Sequence, residues 1–128
     1  MQDLVRSYAA NAPLFEKFIL TTLGKVSLKK FDLQLAQRLF RTFPSLELIY
    51  KCDEGFVQNS PNIYADREDA AEIGADRAYL VDEVAIQKGY YISEPYISTA
   101  TGFLCITVIY AVTDGYLFLD FRVRKLLE

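Results

Sequence analysis

The sequence predicts an α+β domain: an antiparallel sheet of about five strands, flanked by helices, with a long helix at the N-terminus. Three observations support this prediction. Apolar side chains recur at helical intervals in the N-terminal third, runs rich in β-branched and aromatic residues dominate the C-terminal half, and the turns between the last runs have hairpin length. A chain of 128 residues has room for one domain, which we expect to span residues 1–128.

Residues 2–23 are predicted to be helical, because their apolar side chains recur mostly every three or four residues. Asn11 and Pro13 interrupt this pattern. Asn favours N-caps and Pro is tolerated in a first turn, so one long kinked helix and two successive helices both fit. Gly24 is expected to end the segment.

A second helix is predicted for residues 32–43, before Pro44. Apolar side chains line one side of this segment, and Gln and Arg line the other. The first strand follows at residues 46–51, and a turn at 53–55 returns the chain as a hairpin. Residues 60–88 are polar and irregular, with helical potential around 67–73 and 78–87.

The last three strands are predicted at residues 90–97, 103–112 and 116–123. Pro95 indicates an edge position or a bulge in the first of them, because proline cannot donate to a ladder. The second is apolar on both faces and is therefore expected near the centre of the sheet. A tight turn at Asp114-Gly115 leads into the third.

The composition argues against several kinds of partner. A formal net charge of −3 offers no basic surface for nucleic acid, whose binding depends on neutralising phosphates with Lys and Arg. No apolar run approaches the roughly 20 residues of a membrane-spanning helix, and the N-terminus lacks the features of a signal peptide. We therefore expect a cytoplasmic protein without a membrane segment.

Catalysis, metal binding and cofactors are not predicted. The chain has no His, the commonest base for a Ser or Cys nucleophile, and no Gly-rich phosphate loop. Cys52 and Cys105 lack CxxC spacing and lie in apolar runs, so we expect both to be free and buried. The expectation is a protein that is not an enzyme and holds no cofactor.

Four short motifs follow one another in the second half of the chain. They are Asp76-Arg77-x-Tyr79, Tyr91-x-Ser93-Glu94-Pro95-Tyr96, Thr101-Gly102 and Phe118-Leu119-Asp120-Phe121. In this order and spacing, residue 74 to the C-terminus resembles the Cache (PDC-type, PAS-like) sensor domains, and the long N-terminal helix suits that family. The resemblance implies a five-stranded antiparallel sheet with flanking helices and a small-molecule site over one face.

The resemblance also implies roles for individual residues. In amino-acid-binding members, the position of Arg77 meets the ligand carboxylate, Tyr79 and Tyr96 are the motif aromatics, and Asp120 meets the ligand amine. The chain departs where those members carry a second aromatic and a second acidic residue, since it has Leu80 and Ser98 there. Without the second acidic residue, the site loses one charge-assisted hydrogen bond to a ligand ammonium group. A carboxylate or another small polar metabolite therefore fits at least as well as an amino acid.

Arg77 has two interpretations. Its planar guanidinium matches the geometry of a carboxylate ligand. An ordinary ion pair with Asp76, Asp82 or Glu83 is the alternative, because charged side chains are mostly exposed or paired.

Asp120 is a stronger indication of a binding site than Arg77, because it lies inside an apolar strand. Burying a carboxylate there without a partner costs free energy. Asp120 either receives a ligand's positive or donor group, or is met by Arg122 or Arg124. Thr107 is expected to be β-branched filler with a satisfied hydroxyl.

Strand alternation decides which residues of the 90–97 strand and its continuation accompany Asp120. It places Tyr96 and Ser98 on one face and Tyr91 and Ser93 on the other. We therefore expect Tyr96 and Ser98 to line the site. The predicted ligand-binding residues are Arg77, Tyr79, Tyr96, Ser98 and Asp120.

The sequence thus predicts a sensory domain for a small polar metabolite, carboxylate or amino-acid-like, in signal transduction. The alternative is a ligand-free PAS-like module that dimerises through the apolar face of its first helix. Its contacts would be Leu4, Tyr8, Phe15 and Phe18, which otherwise pack onto their own domain. Cache domains usually sit outside the membrane between two transmembrane helices, so an excised extracytoplasmic domain is the alternative to a cytoplasmic location.

Overall fold

The computed structural model describes residues 1–26 and 31–128, and the α+β class is confirmed. The helices are α1 (Gln2–Gly24), α2 (Leu33–Thr42) and α3 (Val123–Leu126). The strands are β1 (Leu46–Cys52), β2 (Asn62–Ile63), β3 (Glu68–Asp69), β4 (Tyr90–Ile92), β5 (Tyr96–Ile97), β6 (Leu104–Val112) and β7 (Gly115–Arg122). Short 3-10 turns lie at Ala70–Glu72, Ala78–Leu80 and Ala85–Lys88.

The N-terminal segment forms one long helix rather than two. Pro13 lies inside α1, and the Asn11 side chain donates to the Ser7 carbonyl at 2.8 Å instead of capping a second helix. The helix ends at Gly24, as predicted. Its buried side chains are Tyr8, Ile19 and Leu23, which lie on one side of the helix.

Helix α2 begins and ends within one residue of the prediction. Asp32 is its N-cap, since the carboxylate accepts a hydrogen bond from the Leu35 amide at 2.9 Å. Phe43 follows the last helical residue and is buried. Each of the two helices buries one apolar side against the same face of the sheet.

The sheet is antiparallel throughout and has seven strands, in the order β3-β2-β1-β7-β6-β4, with β5 also paired to β6. The expectation of five was wrong for three reasons. The return strand predicted after the turn at residues 53–55 forms only isolated bridges, at Gln58 with Cys52 and at Val57 with Asp76. A two-residue ladder joins Asn62 to Asp69 and Ile63 to Glu68, where the sequence shows no alternation. In addition, the strand predicted at residues 90–97 is divided into β4 and β5.

A bulge causes that division. The Ser93 amide donates to the Thr107 carbonyl, whereas Tyr96 lies opposite Cys105, so Glu94 and Pro95 together face a single residue of β6. Two residues opposite one define a β-bulge, which was one of the two outcomes that Pro95 predicted. Because the bulge adds a residue, it also resets which face each later side chain points to.

The expectation that Tyr91 and Tyr96 occupy opposite faces was therefore wrong. Tyr91 pairs with Ile109 and Tyr96 with Cys105, and these two β6 residues lie four apart, on one face of the strand. Both tyrosines consequently stand on the same side of the sheet.

Strands β6 and β7 form the middle of the sheet and separate two apolar clusters. One face packs against α1, α2 and α3. The other face, which carries Tyr50, Ile109 and Phe118, packs against the 3-10 turns between residues 78 and 88. Cys52 and Cys105 are buried free thiols in β1 and β6.

Among residues 1–26 and 31–128, no helix combines the length and the apolar character needed to cross a membrane.

Replacing Gly115 with alanine should destabilise the fold. Gly115 opens β7 directly beside the Cys52 carbonyl, and an added Cβ would lie far inside the van der Waals distance of that oxygen. Backbone cannot move aside as a flexible side chain can, so we expect the free energy of unfolding to fall by about 1–3 kcal/mol. Urea unfolding measures this loss.

Gly55→Ala is the matched control, because its Cβ would make an ordinary 3.4 Å contact with the Asp53 carboxylate. We expect a change within about 0.5 kcal/mol. Equal stabilities of the two variants would contradict the close approach of β7 to β1.

Candidate functional site

A cavity of about 440 Å³ lies over the sheet face that carries Asp120. Its lining residues come from the sheet, from the segment around Arg77 and from the loop after β5: Leu48, Tyr50, Asn62, Glu72, Arg77, Tyr79, Leu80, Tyr96, Ile97, Ser98, Thr99, Ala100 and Asp120. The structure thus brings all five predicted site residues to one cavity.

The side-chain amide of Gln58 fixes the position of the Arg77 guanidinium. Its Nε and Nη2 atoms donate to Gln58 Oε1 at 3.1 and 3.0 Å, and the side chain is 16% exposed. Nη1 donates to the Tyr79 hydroxyl at 3.3 Å, and Nη2 lies 3.6 Å from Glu72 Oε2. The guanidinium also lies over the Tyr50 ring, 5.1 Å from its centroid.

The ion pairs considered for Arg77 from the sequence are not the ones formed. Asp76 accepts from the Ala78 amide, and Asp82 accepts from the Val84 and Ala85 amides, so both carboxylates stabilise local turns. The carboxylate that does approach Arg77 belongs to Glu72, five residues earlier.

Gln58 is a functional candidate that sequence reasoning missed. It is 1% exposed, and its Nε2 donates to the Ser60 carbonyl and to Asn62 Oδ1 at 2.9 and 2.8 Å. With Arg77 on its oxygen, the amide uses both donors and both acceptor positions. Gln is usually exposed, so no sequence signal indicates that this one is buried. Its saturated hydrogen bonding fixes the orientation of Arg77.

Tyr79 lines the cavity at its solvent-exposed rim. The 3-10 turn packs Ala78 and Leu80 against the apolar cluster beneath, which leaves Tyr79 between them 74% exposed.

Asp120 lies at the base of the cavity, 4% exposed, and Thr107 supports it. The Thr107 hydroxyl donates to Asp120 Oδ1 at 2.9 Å and is also hydrogen-bonded to the Tyr96 hydroxyl. Because Thr107 has one proton and directs it to Asp120, Tyr96 is the donor to Thr107. Thr107 has a satisfied hydroxyl, as predicted, but it is a bridge and not filler.

Neither arginine proposed from the sequence neutralises Asp120. Arg122 lies over the Phe103 ring, 3.6 Å from its centroid, and 4.0 Å from Glu47 Oε1. The charge that acts on Asp120 across the cavity is that of Arg77.

Burial raises the pKa of Asp120 to about 6, although the Thr107 hydrogen bond, the charge of Arg77 and the Tyr96 hydroxyl each lower it. Burial, and then the charge of Asp120, raise the pKa of both Tyr50 and Tyr96 above the usual value. At neutral pH the base of the cavity therefore presents a carboxylate beside hydroxyl donors.

Ser98 is buried at the edge of the same cavity, with its hydroxyl accepting from the Ala100 amide at 3.2 Å. Tyr96 and Ser98 line the cavity together, as expected. Within the two ranges that the structure covers, no three His, Cys, Asp or Glu side chains are grouped to hold a metal ion.

Replacing Asp120 with asparagine should stabilise the protein at neutral pH. The folded protein holds this proton more tightly than the unfolded chain, whose carboxyl has a pKa near 3.8. Wild-type stability should therefore fall as the pH rises from about 4 through about 6. The asparagine amide keeps an acceptor for Thr107 without the buried charge, so at pH 7.5 we expect a gain of up to about 3 kcal/mol.

Urea unfolding of wild type and Asp120→Asn between pH 3.5 and pH 7.5 tests this, and the gain should vanish at the acid end. Asp114→Asn is the control with the opposite sign, because the hydrogen bond from Lys51 lowers the pKa of this exposed carboxyl. A wild-type stability that does not fall between pH 4 and pH 6 would contradict the buried, raised Asp120.

No family model and no curated protein matches the sequence. Among solved structures, the chain is similar to the Bacillus subtilis YkuI protein, described as having an EAL domain and as a complex with substrate c-di-GMP and calcium. The TM-score is 0.64 and the identity 20%, over 99% of this chain and 34% of that one. At this identity the likeness shows the fold alone, and this chain spans about a third of the protein it matches.

Proposed function

We propose that the protein is a sensory domain that binds a small polar metabolite, carboxylate or amino-acid-like, and that it works in signal transduction rather than catalysis. The observation that supports this is the meeting of Arg77 and Asp120, distant in sequence, in one cavity of about 440 Å³. Sites for small ligands commonly measure about 300–1,000 Å³ and orient the ligand with a few polar groups.

The arrangement of charge suits a ligand with two polar ends. A guanidinium fixed by Gln58 stands on one side, and a carboxylate supported by Thr107 lies at the base. Tyr50 and Tyr96 present aromatic surface and protonated hydroxyls between them. Such fixed donors and acceptors bind and orient a ligand without reacting with it.

The retention of a buried carboxylate also supports a binding role. Asp120 is less stable ionised in the folded protein than in water, as its raised pKa indicates. A ligand amine or hydroxyl that meets Asp120 would recover part of this free energy, which gives binding a source of affinity.

The more specific assignment to the Cache (PDC-type, PAS-like) class is part of the proposal. It is supported by an antiparallel sheet that has a long N-terminal helix packed on one face and a polar cavity on the other. We further propose that the domain acts in the cytoplasm.

The ligand named for YkuI is not a good match for this cavity. c-di-GMP carries two phosphates, whereas among the described residues that line the cavity Arg77 is the sole cation and stands with Glu72 and Asp120. The cavity favours a smaller ligand with less negative charge.

We propose that the change caused by ligand binding is transmitted to the rest of the molecule through a helix. Asp120 lies on β7, and β7 continues directly into α3, which also contacts α1. A structural change at Asp120 would therefore act on α3 directly along the chain, and on α1 through the contact between α3 and α1.

A thermal-shift screen of carboxylates, amino acids and amines tests the proposed function. A ligand at about 100 times its Kd adds about 2.7 kcal/mol of stability, enough to raise Tm by several degrees. We expect at least one specific hit that disappears in Arg77→Ala. Arg41→Ala is the control, since Arg41 is exposed on α2, across the sheet from the cavity. A hit that persists unchanged in Arg77→Ala would place binding elsewhere.

A second candidate function is a dimerisation module, and one observation favours it. Leu14 and Phe18 of α1 are 67% and 53% exposed, and with Pro44 and Leu126 they line a largely apolar depression. The occupant would be the same surface of a second copy. Such exposed apolar patches mark contact sites in many proteins.

Three of the four contacts proposed from the sequence pack within the chain. Tyr8 is buried, Phe15 stacks on it with ring centroids 6.0 Å apart, and Leu4 packs against the same cluster. Phe18 remains accessible, although its ring also contacts Phe43 edge-on. Leu14, which the sequence analysis did not select, is the better contact.

Leu14→Glu should convert a dimer into a folded monomer if this surface is the interface. A charge at the centre of an apolar contact opposes association and leaves the exposed position free to fold normally. Light scattering gives the mass, and circular dichroism checks folding. Ala9→Glu is the control, because Ala9 is exposed on α1 and is turned about 140° away from Leu14. An unaltered mass in Leu14→Glu counts against this candidate.

A further inference from the structure

We infer that Glu72 is a specificity-determining residue of the cavity: its carboxylate occupies the outer edge of the Arg77 guanidinium, and a carboxylate ligand has to displace it. The inference rests on the proposed function and adds a built-in competitor to it.

The inner edge of Arg77 is closed to a ligand. Nε and Nη2 both donate to Gln58 Oε1, and Gln58 is 1% exposed with its own donors engaged by Ser60 and Asn62. Releasing Arg77 from this side would leave a buried amide oxygen without a partner, which is unfavourable. A ligand must therefore approach the edge formed by Nη1 and Nη2.

That outer edge already carries two groups. Nη1 donates to the Tyr79 hydroxyl at 3.3 Å, and Nη2 lies 3.6 Å from Glu72 Oε2. Glu72 ends the 3-10 turn Ala70–Glu72 and lines the cavity. A carboxylate thus already stands where the carboxylate of an acidic ligand would pair with Arg77.

The Glu72 ion pair is suited to exchange. The Glu72 side chain is 53% exposed, whereas Arg77 is 16% exposed. Exposed ion pairs are weak, so displacing Glu72 should lower the affinity for a carboxylate by about two- to fivefold. Asp120 opposes the same anion from the base of the cavity, so acidic ligands are disfavoured relative to neutral ones of equal shape.

NMR titration of the 15N-labelled protein tests this role with two probes of nearly equal shape, propionate and propionamide. Glu72→Gln removes the charge at an exposed position. Glu68→Gln is the matched control, because it makes the same change four residues away at a residue that does not line this cavity. Ionic strength is held constant, since salt screens exposed charges.

We expect propionate to bind Glu72→Gln about two- to fivefold more tightly than wild type, with the Arg77 side-chain signal shifted. Propionamide should bind both proteins equally, and Glu68→Gln should behave as wild type. The ratio of the two affinities isolates charge from any change in the shape of the cavity.

Three outcomes overturn the inference while leaving the proposed function standing: equal propionate affinity in wild type and Glu72→Gln, an equal gain for propionamide, or the same gain in Glu68→Gln. If neither probe perturbs signals around Arg77 or Asp120 in any of the proteins, the inference fails, whereas the proposed function is decided by the thermal-shift screen.

Discussion

The buried carboxylate of Asp120 is the constraint on which the cavity depends. A charge in the middle of a sheet needs partners, and hydrocarbon packed over it would supply none. Thr107 donates to it from the neighbouring strand, Tyr96 supports Thr107, and Arg77 contributes a charge from across the cavity. This face of the sheet therefore stays open and polar at one end, while the rest of the same face is packed with apolar side chains.

The opposite side of the cavity depends on a meeting of two chain segments. Gln58 follows the turn after β1, and its backbone amide donates to the Ala75 carbonyl while its carbonyl accepts from the Gly74 amide. These bonds bring the segment with Arg77 alongside, and the Gln58 side chain then fixes the guanidinium. Main-chain hydrogen bonds thus set the distance between the segments of Gln58 and Arg77. The fully hydrogen-bonded side-chain amide of Gln58 sets the orientation of the Arg77 guanidinium. Groups far apart in sequence converge because each is anchored separately to the sheet.

The sequence predicted the parts of this arrangement that depend on local periodicity. Helical spacing located both long helices, and strand alternation placed Tyr96 and Ser98 together at the cavity. The face assignment from strand alternation failed at the bulge of Glu94 and Pro95. The extra residue there places Tyr96 on the same face of the sheet as Tyr91.

Long-range partners were the second kind of failure. A glutamine that is saturated by tertiary hydrogen bonds looks, in sequence, like any solvent-exposed glutamine, so Gln58 carried no signal. Tyr79 lines the cavity but is exposed, because the short turn packs its neighbours Ala78 and Leu80 against the apolar cluster. Asp120 lies near the C-terminal end of β7 and is fixed by a buried hydrogen bond from Thr107. The start of α3 is held by ion pairs of 3.8–4.0 Å from Glu47, partly open to solvent. Val123 at the start of α3 is buried in the core, so in the proposed sensor the partly exposed ion pairs of Glu47 are the contacts near Asp120 that ligand binding can shift most easily.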